Sequence, residues 1–188
     1  MTEEKLIKSK ERKKKFAEVF TPKFIVNDML NLVEGQGGKV SPDSDEYGWT
    51  TYLEPACGSG NFLIEILDRK LKWCQKREYG VLGYLRAVSS IYGVDIQEDN
   101  VLETRERMRK LVLDYMDFDD DLWQERSYLY ILDVILEFNI VVGDMLKGKD
   151  KITFFRYDWG VTVFGLPFLA VPFKITDIEM TTKNSVKK

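Results

Sequence analysis

The sequence predicts an α/β fold built on a mostly parallel sheet. Two observations carry this prediction: short apolar strands alternate with longer helices of amphipathic pattern, and an acidic residue stands at the end of each of the first three strands. The strands are predicted at 50–53, 91–95 and 138–142, with a fourth candidate at 161–164, and the acidic residues are Glu54, Asp95 and Asp144.

Basic residues crowd the start of the chain, although its net charge is −3. They are Lys5, Lys8, Lys10, Arg12, Lys13, Lys14 and Lys15. A run of this kind can contact nucleic-acid phosphates. The alternative, a solvated helical face or a frayed tail, is favoured by this feature alone.

Four helices are predicted from apolar residues at helical spacing. The first has Thr21 as its cap and Pro22 in its first turn and ends near Gly35, and the loop-like composition of 35–48 follows it. The others are one that starts near Asn61 and includes Leu71, one that carries Val101 to Val112, and one over 122–137. The order of strands and helices predicts parallel strands joined by helical crossovers.

The bulk composition limits the classes of function. At 188 residues and 44% hydrophobic content, the chain suits one domain with a real core. It has no apolar run of about 18 residues and no signal-like start, so we expect a soluble, cytoplasmic protein. It has no histidine and two distant cysteines, Cys57 and Cys74, which excludes an imidazole base and argues against a zinc site.

A glycine turn joins the first strand to its helix. Gly58 and Gly60 allow a ligand to approach the backbone closely, and the helix near Asn61 presents free N–H groups. A dinucleotide fingerprint would need a third glycine where Leu63 stands, and no Gly-Lys-Ser/Thr phosphate loop is present. The turn therefore favours a nucleoside-bearing ligand other than NAD or ATP.

The acidic strand ends are expected to line one crevice, because ligands of open α/β sheets sit outside the carboxyl ends of the strands. Asp95 can accept hydrogen bonds from two ribose hydroxyls, and Asp144 can accept one from an adenine amino group. Taken singly, Asp95 can equally be a helix cap, Asp144 part of an ordinary turn, and the glycine turn simple strand-to-helix geometry. Their order and spacing together favour the ligand site.

Four ordered stretches resemble the adenine-N6 DNA methyltransferases of bacterial restriction–modification systems, above all the modification modules of type I and fused type II enzymes. The stretches are Glu18-Val19-Phe20-Thr21-Pro22, Leu53-Glu54-Pro55-Ala56-Cys57-Gly58-Ser59-Gly60-Asn61-Phe62-Leu63, Ile91-Tyr92-Gly93-Val94-Asp95-Ile96 and Val142-Gly143-Asp144. The resemblance covers about residues 12 to 160. It implies a Rossmann-like methyltransferase fold, S-adenosyl-L-methionine as cofactor and DNA as partner.

The resemblance also implies roles for individual residues. The methionine part of the cofactor would be held by Thr21, Glu54, Ala56, Gly58, Gly60 and Asn61. Asp95 would take the ribose, Ile96 would flank the adenine ring and Asp144 would take the adenine amino group. Phe20, Ser59 and Met145 complete the expected cofactor-binding set.

Catalysis in the family depends on Asn, Asp or Ser followed by Pro-Pro and an aromatic residue after the fourth strand. The corresponding place here reads Gly165-Leu166-Pro167-Phe168, and the chain contains no Pro-Pro pair. Leucine accepts no hydrogen bond from a target amino group, even if Phe168 still stacks on a flipped base. We therefore assign no catalytic residue and expect the isolated chain to be inactive.

These expectations divide the chain into a basic segment at 1–16, an incomplete S-adenosylmethionine-binding methyltransferase domain at 17–165 and an atypical tail at 166–188. The sheet is expected to be truncated after about the fourth strand, whose bare edge a partner chain or a homo-oligomer would cover. Three alternatives stay open: a non-catalytic cofactor- or DNA-binding regulator, a subunit that a partner chain completes, and a methyltransferase of RNA or protein.

Overall fold

A computed structural model describes residues 8–16, 19–116, 122–163 and 166–176. Its helices are α1 (Lys10–Phe16), α2 (Lys23–Glu34), α3 (Asn61–Lys76), α4 (Gly80–Ser89), α5 (Glu98–Tyr115) and α6 (Leu122–Asn139). Its strands are β1 (Tyr52–Glu54), β2 (Ile91–Asp95), β3 (Ile140–Val142), β4 (Thr153–Val163) and β5 (Leu166–Lys174). Short 3₁₀ turns lie at Gly38–Val40, Tyr47–Trp49 and Lys149–Lys151.

The first three strands form a parallel sheet in the order β1-β2-β3. Tyr52 lies opposite Ile91, and Asp95 lies opposite Val142. The parallel pairing brings the carboxyl ends of the three strands to one edge. The predicted α/β arrangement of the first three strands and the helices between them is therefore confirmed.

The third strand is shorter than predicted, because α6 continues through Asn139 and includes Phe138. Arg105 from α5 explains where the helix ends. Its guanidinium donates to the carbonyls of Glu137 and Ile140, both at 2.8 Å, and so satisfies acceptors that a helix end leaves unpaired. Only the last three residues of the predicted strand pair with β2.

The predicted fourth strand was wrong in length and in partner. The strand begins at Thr153 and, instead of extending the parallel sheet, pairs antiparallel with β5 in a separate two-stranded sheet. Phe164, the last residue of the predicted strand, lies outside the described residues. A short connection favours an antiparallel pair, since parallel strands need a long crossover. One edge of β4 is therefore covered by this same chain.

Residues 166–174 of the predicted tail form strand β5. Pro167 and Pro172 argue against a strand in sequence, because proline donates no ladder hydrogen bond. Here they are tolerated because β5 pairs on one side only. Residues 177–188 lie outside the described residues.

The hairpin of β4 and β5 packs against the parallel sheet and the helices. Tyr92 and Val94, on one face of β2, form a small buried cluster with Ile152, Phe154 and Ile175. The larger core contains the other face of β2 and the buried sides of the helices, and its fully buried members include Leu63, Leu67, Leu71, Leu85, Met108, Val112, Leu132 and Ile135. The hairpin thus covers the face of β2 opposite the main core.

The basic start of the chain contacts acidic residues of the same chain. Lys8 Nζ lies 2.6 Å from a carboxylate oxygen of Glu103, and Arg12 Nη1 lies 2.7 Å from Asp99 Oδ2. These contacts place α1 against the first turns of α5. Lys5, another residue of the predicted basic segment, lies outside the described residues. In the part of the chain that is described, no helix is long and apolar enough to cross a membrane.

Candidate functional site

A cleft of about 590 Å³ opens at the carboxyl ends of the three parallel strands. Its size falls within the range of small-molecule and cofactor sites. The segment before α2, the glycine turn and the ends of β2 and β3 form its walls. The lining residues are Val19, Phe20, Thr21, Glu54, Pro55, Ala56, Cys57, Gly58, Asn61, Phe62, Asp95, Ile96, Gln97, Asn100, Asp144, Met145, Leu146 and Lys147.

The cleft brings together ten of the twelve residues that the sequence singled out. They are Phe20, Thr21, Glu54, Ala56, Gly58, Asn61, Asp95, Ile96, Asp144 and Met145. Ser59 and Gly60 belong to the same turn but do not line the cleft. Phe20 and Met145, which are 125 positions apart in sequence, therefore meet at one edge of the sheet. The roles of the individual residues stay predictions.

The glycine turn is held by backbone geometry that side chains rarely adopt. Gly58 and Gly60 have φ angles of +54° and +87°. The N–H of Cys57 donates to Val94 O at 2.8 Å, which fastens the turn to β2. Asn61 then begins α3, and its side-chain Nδ2 donates to Thr21 O at 2.9 Å. This bond ties the turn to the segment that forms the opposite wall.

Asp95 ends β2 and accepts three hydrogen bonds from described residues. Its Oδ2 accepts from the N–H of Gly58 at 2.9 Å, and its Oδ1 accepts from the N–H of Gln97 at 2.8 Å and from Asn100 Nδ2 at 3.2 Å. The sequence left open that Asp95 caps the following helix, but the N-cap position of α5 is held by Gln97. A carboxylate has about four acceptor positions, so one on Oδ2 is left for a ligand.

Asp144 follows β3 and turns the chain. Its Oδ1 accepts from the N–H groups of Leu146 and Lys147, both at 2.9 Å. The ordinary turn considered as the alternative is therefore present. The hydrogen bonds that described residues make to this carboxylate all reach Oδ1, so Oδ2 keeps its acceptor capacity in the cleft.

The cleft is negatively charged, since it is lined by Glu54, Asp95 and Asp144 against one cation, Lys147. Glu54 is partly buried and accepts from the N–H of Ala56 at 3.3 Å. Burial raises the pKa of Glu54 above its ordinary value. A cationic ligand placed beside the three carboxylates would gain attraction, whereas a polyphosphate would be repelled.

Cys57 lies at the base of the cleft and stays a thiol at neutral pH. Desolvation by burial raises its pKa to about 12, and the nearby charges of Asp95 and Glu54 act in the same direction. A thiolate is the nucleophilic form of cysteine. Cysteine-based covalent catalysis is therefore not a chemistry that this cleft supports.

The residues at the place of the family's catalytic tetrapeptide lie away from the cleft. Leu166 and Pro167 are in β5, and Gly165 lies outside the described residues. Phe168 is 5% exposed, and its ring centroid lies 5.2 Å from that of Tyr157 and 5.0 Å from that of Trp159. This buried aromatic cluster leaves Phe168 no free face for a base.

A polar face on α5 was not predicted from the sequence. Its residues are Asn100, Thr104 and Arg107, at spacings of four and three residues. Asn100 contacts Asp95, Thr104 contacts Gly58 and Arg107 contacts Asn61. A signal was present, since Asn100 and Thr104 fall among the apolar positions of the helix and are 1% and 0% exposed. Buried polar side chains need partners, and here the partners belong to the site.

The class of protein follows from these features: a mixed α/β chain with a ligand-sized, acidic cleft at the carboxyl edge of a parallel sheet. Comparison with known proteins narrows the class. The chain is 32% identical over 150 residues to a type II methyltransferase, M.VspI, of Vibrio sp. (strain 343). The match covers 76% of this chain and 29% of the relative, so the chain spans less than a third of the length of that relative.

The predicted resemblance to DNA methyltransferases is thereby supported at the level of a type II methyltransferase. No family model matches the chain. No solved structure matches it.

Proposed function

We propose that this chain binds S-adenosyl-L-methionine as the cofactor-binding part of an adenine-N6 DNA methyltransferase of a restriction–modification system. The observation that carries the proposal is the cleft with three carboxylates at the ends of three parallel strands. It occurs in a chain that is similar over 150 residues to a type II methyltransferase. By itself the chain is expected to bind the cofactor without transferring its methyl group.

The charge of the cleft agrees with this cofactor. S-adenosylmethionine carries a positive sulfonium and a positive ammonium group, and it has no phosphate. Three carboxylates and one lysine line the cleft. Opposite charges attract more strongly in a partly desolvated cleft than in water. The same charges disfavour ATP and NAD, in agreement with the missing phosphate-binding motifs.

The proposed contacts follow the walls of the cleft. The one acceptor position left on Asp95 Oδ2 takes a single ribose hydroxyl rather than the two expected from the sequence. Ile96, which is 50% exposed, packs on the adenine ring. Asp144 accepts from the adenine amino group through Oδ2. The methionine end is surrounded by the glycine turn, Glu54 and residues 19–21, which we call the Thr21 segment. The carboxylate of Glu54 attracts the ammonium group there.

The lack of methyl transfer follows from what the cleft does not contain. Adenine-N6 transfer needs an acceptor beside the target amino group, so that the nitrogen keeps its electron density for the methyl group. The 188 residues contain no Pro-Pro pair. Leu166 offers no acceptor, and Phe168 is buried against Tyr157 and Trp159.

Calorimetric titration with S-adenosylmethionine tests the binding proposal. We expect Ile96→Asn to weaken binding about tenfold, because roughly half of an isoleucine burial, about 1–1.5 kcal/mol, is lost and no charge is added to the cleft. Leu102→Asn is the matched control, since Leu102 is 54% exposed and lies outside the cleft lining. An unmodified chain that gives no saturable heat, or an Ile96→Asn chain that binds normally, would contradict the proposal.

Transfer of a labelled methyl group to unmodified DNA tests the second part. No incorporation is expected from this chain alone, and incorporation would refute the claim of inactivity. A second candidate, a subunit completed by a partner chain, is favoured by the position of β1 at the edge of the three-stranded sheet. Incorporation that appears only when a candidate partner is added would support that candidate.

A further inference from the structure

One face of α5 contacts the cleft walls at three successive points. Asn100 Nδ2 donates to Asp95 Oδ1 at 3.2 Å, and Thr104 Oγ1 donates to Gly58 O at 3.0 Å. Further along the helix, Arg107 Nη1 donates to Asn61 Oδ1 at 3.0 Å. The three donors therefore follow the cleft from the end of β2 to the start of α3.

Arg107 fixes the orientation of the Asn61 amide. The guanidinium donates to Asn61 Oδ1 and also to the carbonyl of Ser59, and Ser59 Oγ lies 3.4 Å from Nη1. Because Oδ1 accepts from Arg107, the other end of the amide, Nδ2, is directed to Thr21 O at 2.9 Å. A single side chain of α5 thus links the glycine turn, the first residue of α3 and the opposite wall.

Helix stability does not account for a cation at this place. Arg107 contacts the residues that begin α3, and the amino-terminal end of a helix carries a partial positive charge that disfavours cations. The hydrogen bonds to Ser59 and Asn61 offset this repulsion. These hydrogen bonds fix the geometry of the glycine turn.

We propose that Arg107 is a positioning residue for the methionine end of the cofactor. The inference rests on the proposed function, in which the glycine turn and the Thr21 segment hold that end. Arg107 does not line the cleft and so does not touch the ligand. It acts through Ser59 and Asn61. The adenosine end depends instead on Asp95, Ile96 and Asp144, whereas the hydrogen bonds described above join Arg107 to Ser59 and Asn61.

Two ligands that share an uncharged thioether sulfur and differ only in the amino-acid part test this inference. Titrations use S-adenosylhomocysteine, which keeps the amino-acid end of S-adenosylmethionine, and 5′-methylthioadenosine, which keeps the adenosine and lacks that end. For Arg107→Met we expect about tenfold weaker binding of S-adenosylhomocysteine, as for a lost hydrogen bond to a charged group. Binding of methylthioadenosine should change by less than about twofold, within the effect of a distant substitution.

Arg109→Met is the matched control, because Arg109 lies on the same helix and pairs with Asp133 at 2.7 Å, outside the cleft. It should leave both affinities unchanged. If Arg107→Met does not fold, Arg107→Lys replaces it. This variant keeps the charge, but its side chain is one atom shorter, so its ammonium falls short of the position of Arg107 Nη1. The same selective loss, smaller in size, is expected of it.

The outcomes separate the inference from the proposed function. A chain that binds neither ligand refutes the proposed function and the inference with it. Suppose that the unmodified chain binds both ligands. If the Arg107 variants then lose affinity for both ligands equally, or lose none, the inference alone is overturned. A general structural role of Arg107 would lower the affinity for both ligands, whereas a positioning role lowers only the affinity for the ligand that has the amino-acid end.

Discussion

Replacing Gly60 with alanine should destabilise the protein through two separable effects. The φ angle of Gly60 is +87°, in the left-handed region, where a side chain costs about 1–2 kcal/mol. A Cβ at this residue would lie 2.7 Å from Thr104 Cγ2 and 2.9 Å from Thr104 Oγ1. Relieving such overpacking costs about 1–3 kcal/mol. We therefore expect Gly60→Ala to lower the free energy of unfolding by about 2–5 kcal/mol.

Gly80 provides a control that carries the first effect without the second. Its φ angle is +61°, and a Cβ there would meet nothing within 4 Å. Gly80→Ala should cost only the backbone strain, about 1–2 kcal/mol. The difference between the two variants measures the contact with Thr104.

Urea unfolding, followed by circular dichroism, measures the free energy of unfolding of both variants. Adding Thr104→Ser, alone and together with Gly60→Ala, completes a double-mutant cycle. Serine removes the methyl group that clashes and keeps the hydroxyl that donates to Gly58 O. The serine substitution should therefore be less costly beside Gly60→Ala than in the unmodified chain. Equal losses for the two alanine variants, together with no coupling to Thr104→Ser, would refute the close approach of α5 to the turn.

Two further predictions concern charged side chains outside the cleft. Lys70 is 0% exposed, and burial lowers its pKa to about 7 from 10.5. Between about pH 7 and 10.5 the unfolded chain therefore keeps a proton on Lys70 that the folded chain has lost. The free energy of unfolding rises with pH over this range. Relative to Lys70→Met, the unfolding free energy should rise by about 2 kcal/mol from about pH 7.5 to 9; a difference that stays constant would contradict this. Asp99→Asn removes the ion pair with Arg12 and should lower stability by less than about 1 kcal/mol at low salt. In about 1 M salt the effect should vanish, since screening is then nearly complete; a salt-independent loss would contradict the ionic origin.

The strands and the cleft of the parallel sheet could be predicted because their signals are local. An apolar run that ends in an acidic residue, followed by glycine or a helix cap, marks the carboxyl edge of a strand, and parallel pairing then brings Glu54, Asp95 and Asp144 together. The length of β3 was harder to predict, because the end of α6 depends on Arg105 from another helix. No sequence window around Phe138 contains that partner.

Helix α4 was not predicted at all, for a physical reason. Its ten residues include Gly80 and Gly83, each of which lowers helix propensity by about 1 kcal/mol relative to alanine. Burial of Leu85, Ala87 and Val88 against the core compensates for this. Tertiary packing rather than intrinsic helix propensity therefore makes this segment helical.

Among the described residues, the hairpin of β4 and β5 contributes nothing to the lining of the cleft. Antiparallel pairing places Phe168 opposite Trp159 and Leu166 opposite Val163, so the segment in which the resemblance led us to look for the catalytic tetrapeptide is a strand. Trp159 Nε1 donates to Ser89 Oγ at 2.9 Å, and Tyr92 donates its hydroxyl to Phe155 O at 3.1 Å, so the hairpin is fastened to α4 and β2. The cleft needs none of these contacts, since its walls come from the glycine turn, the Thr21 segment and the ends of the parallel strands. The proposed cofactor binding therefore does not depend on the hairpin, whereas the proposed lack of methyl transfer rests on its segment 166–168.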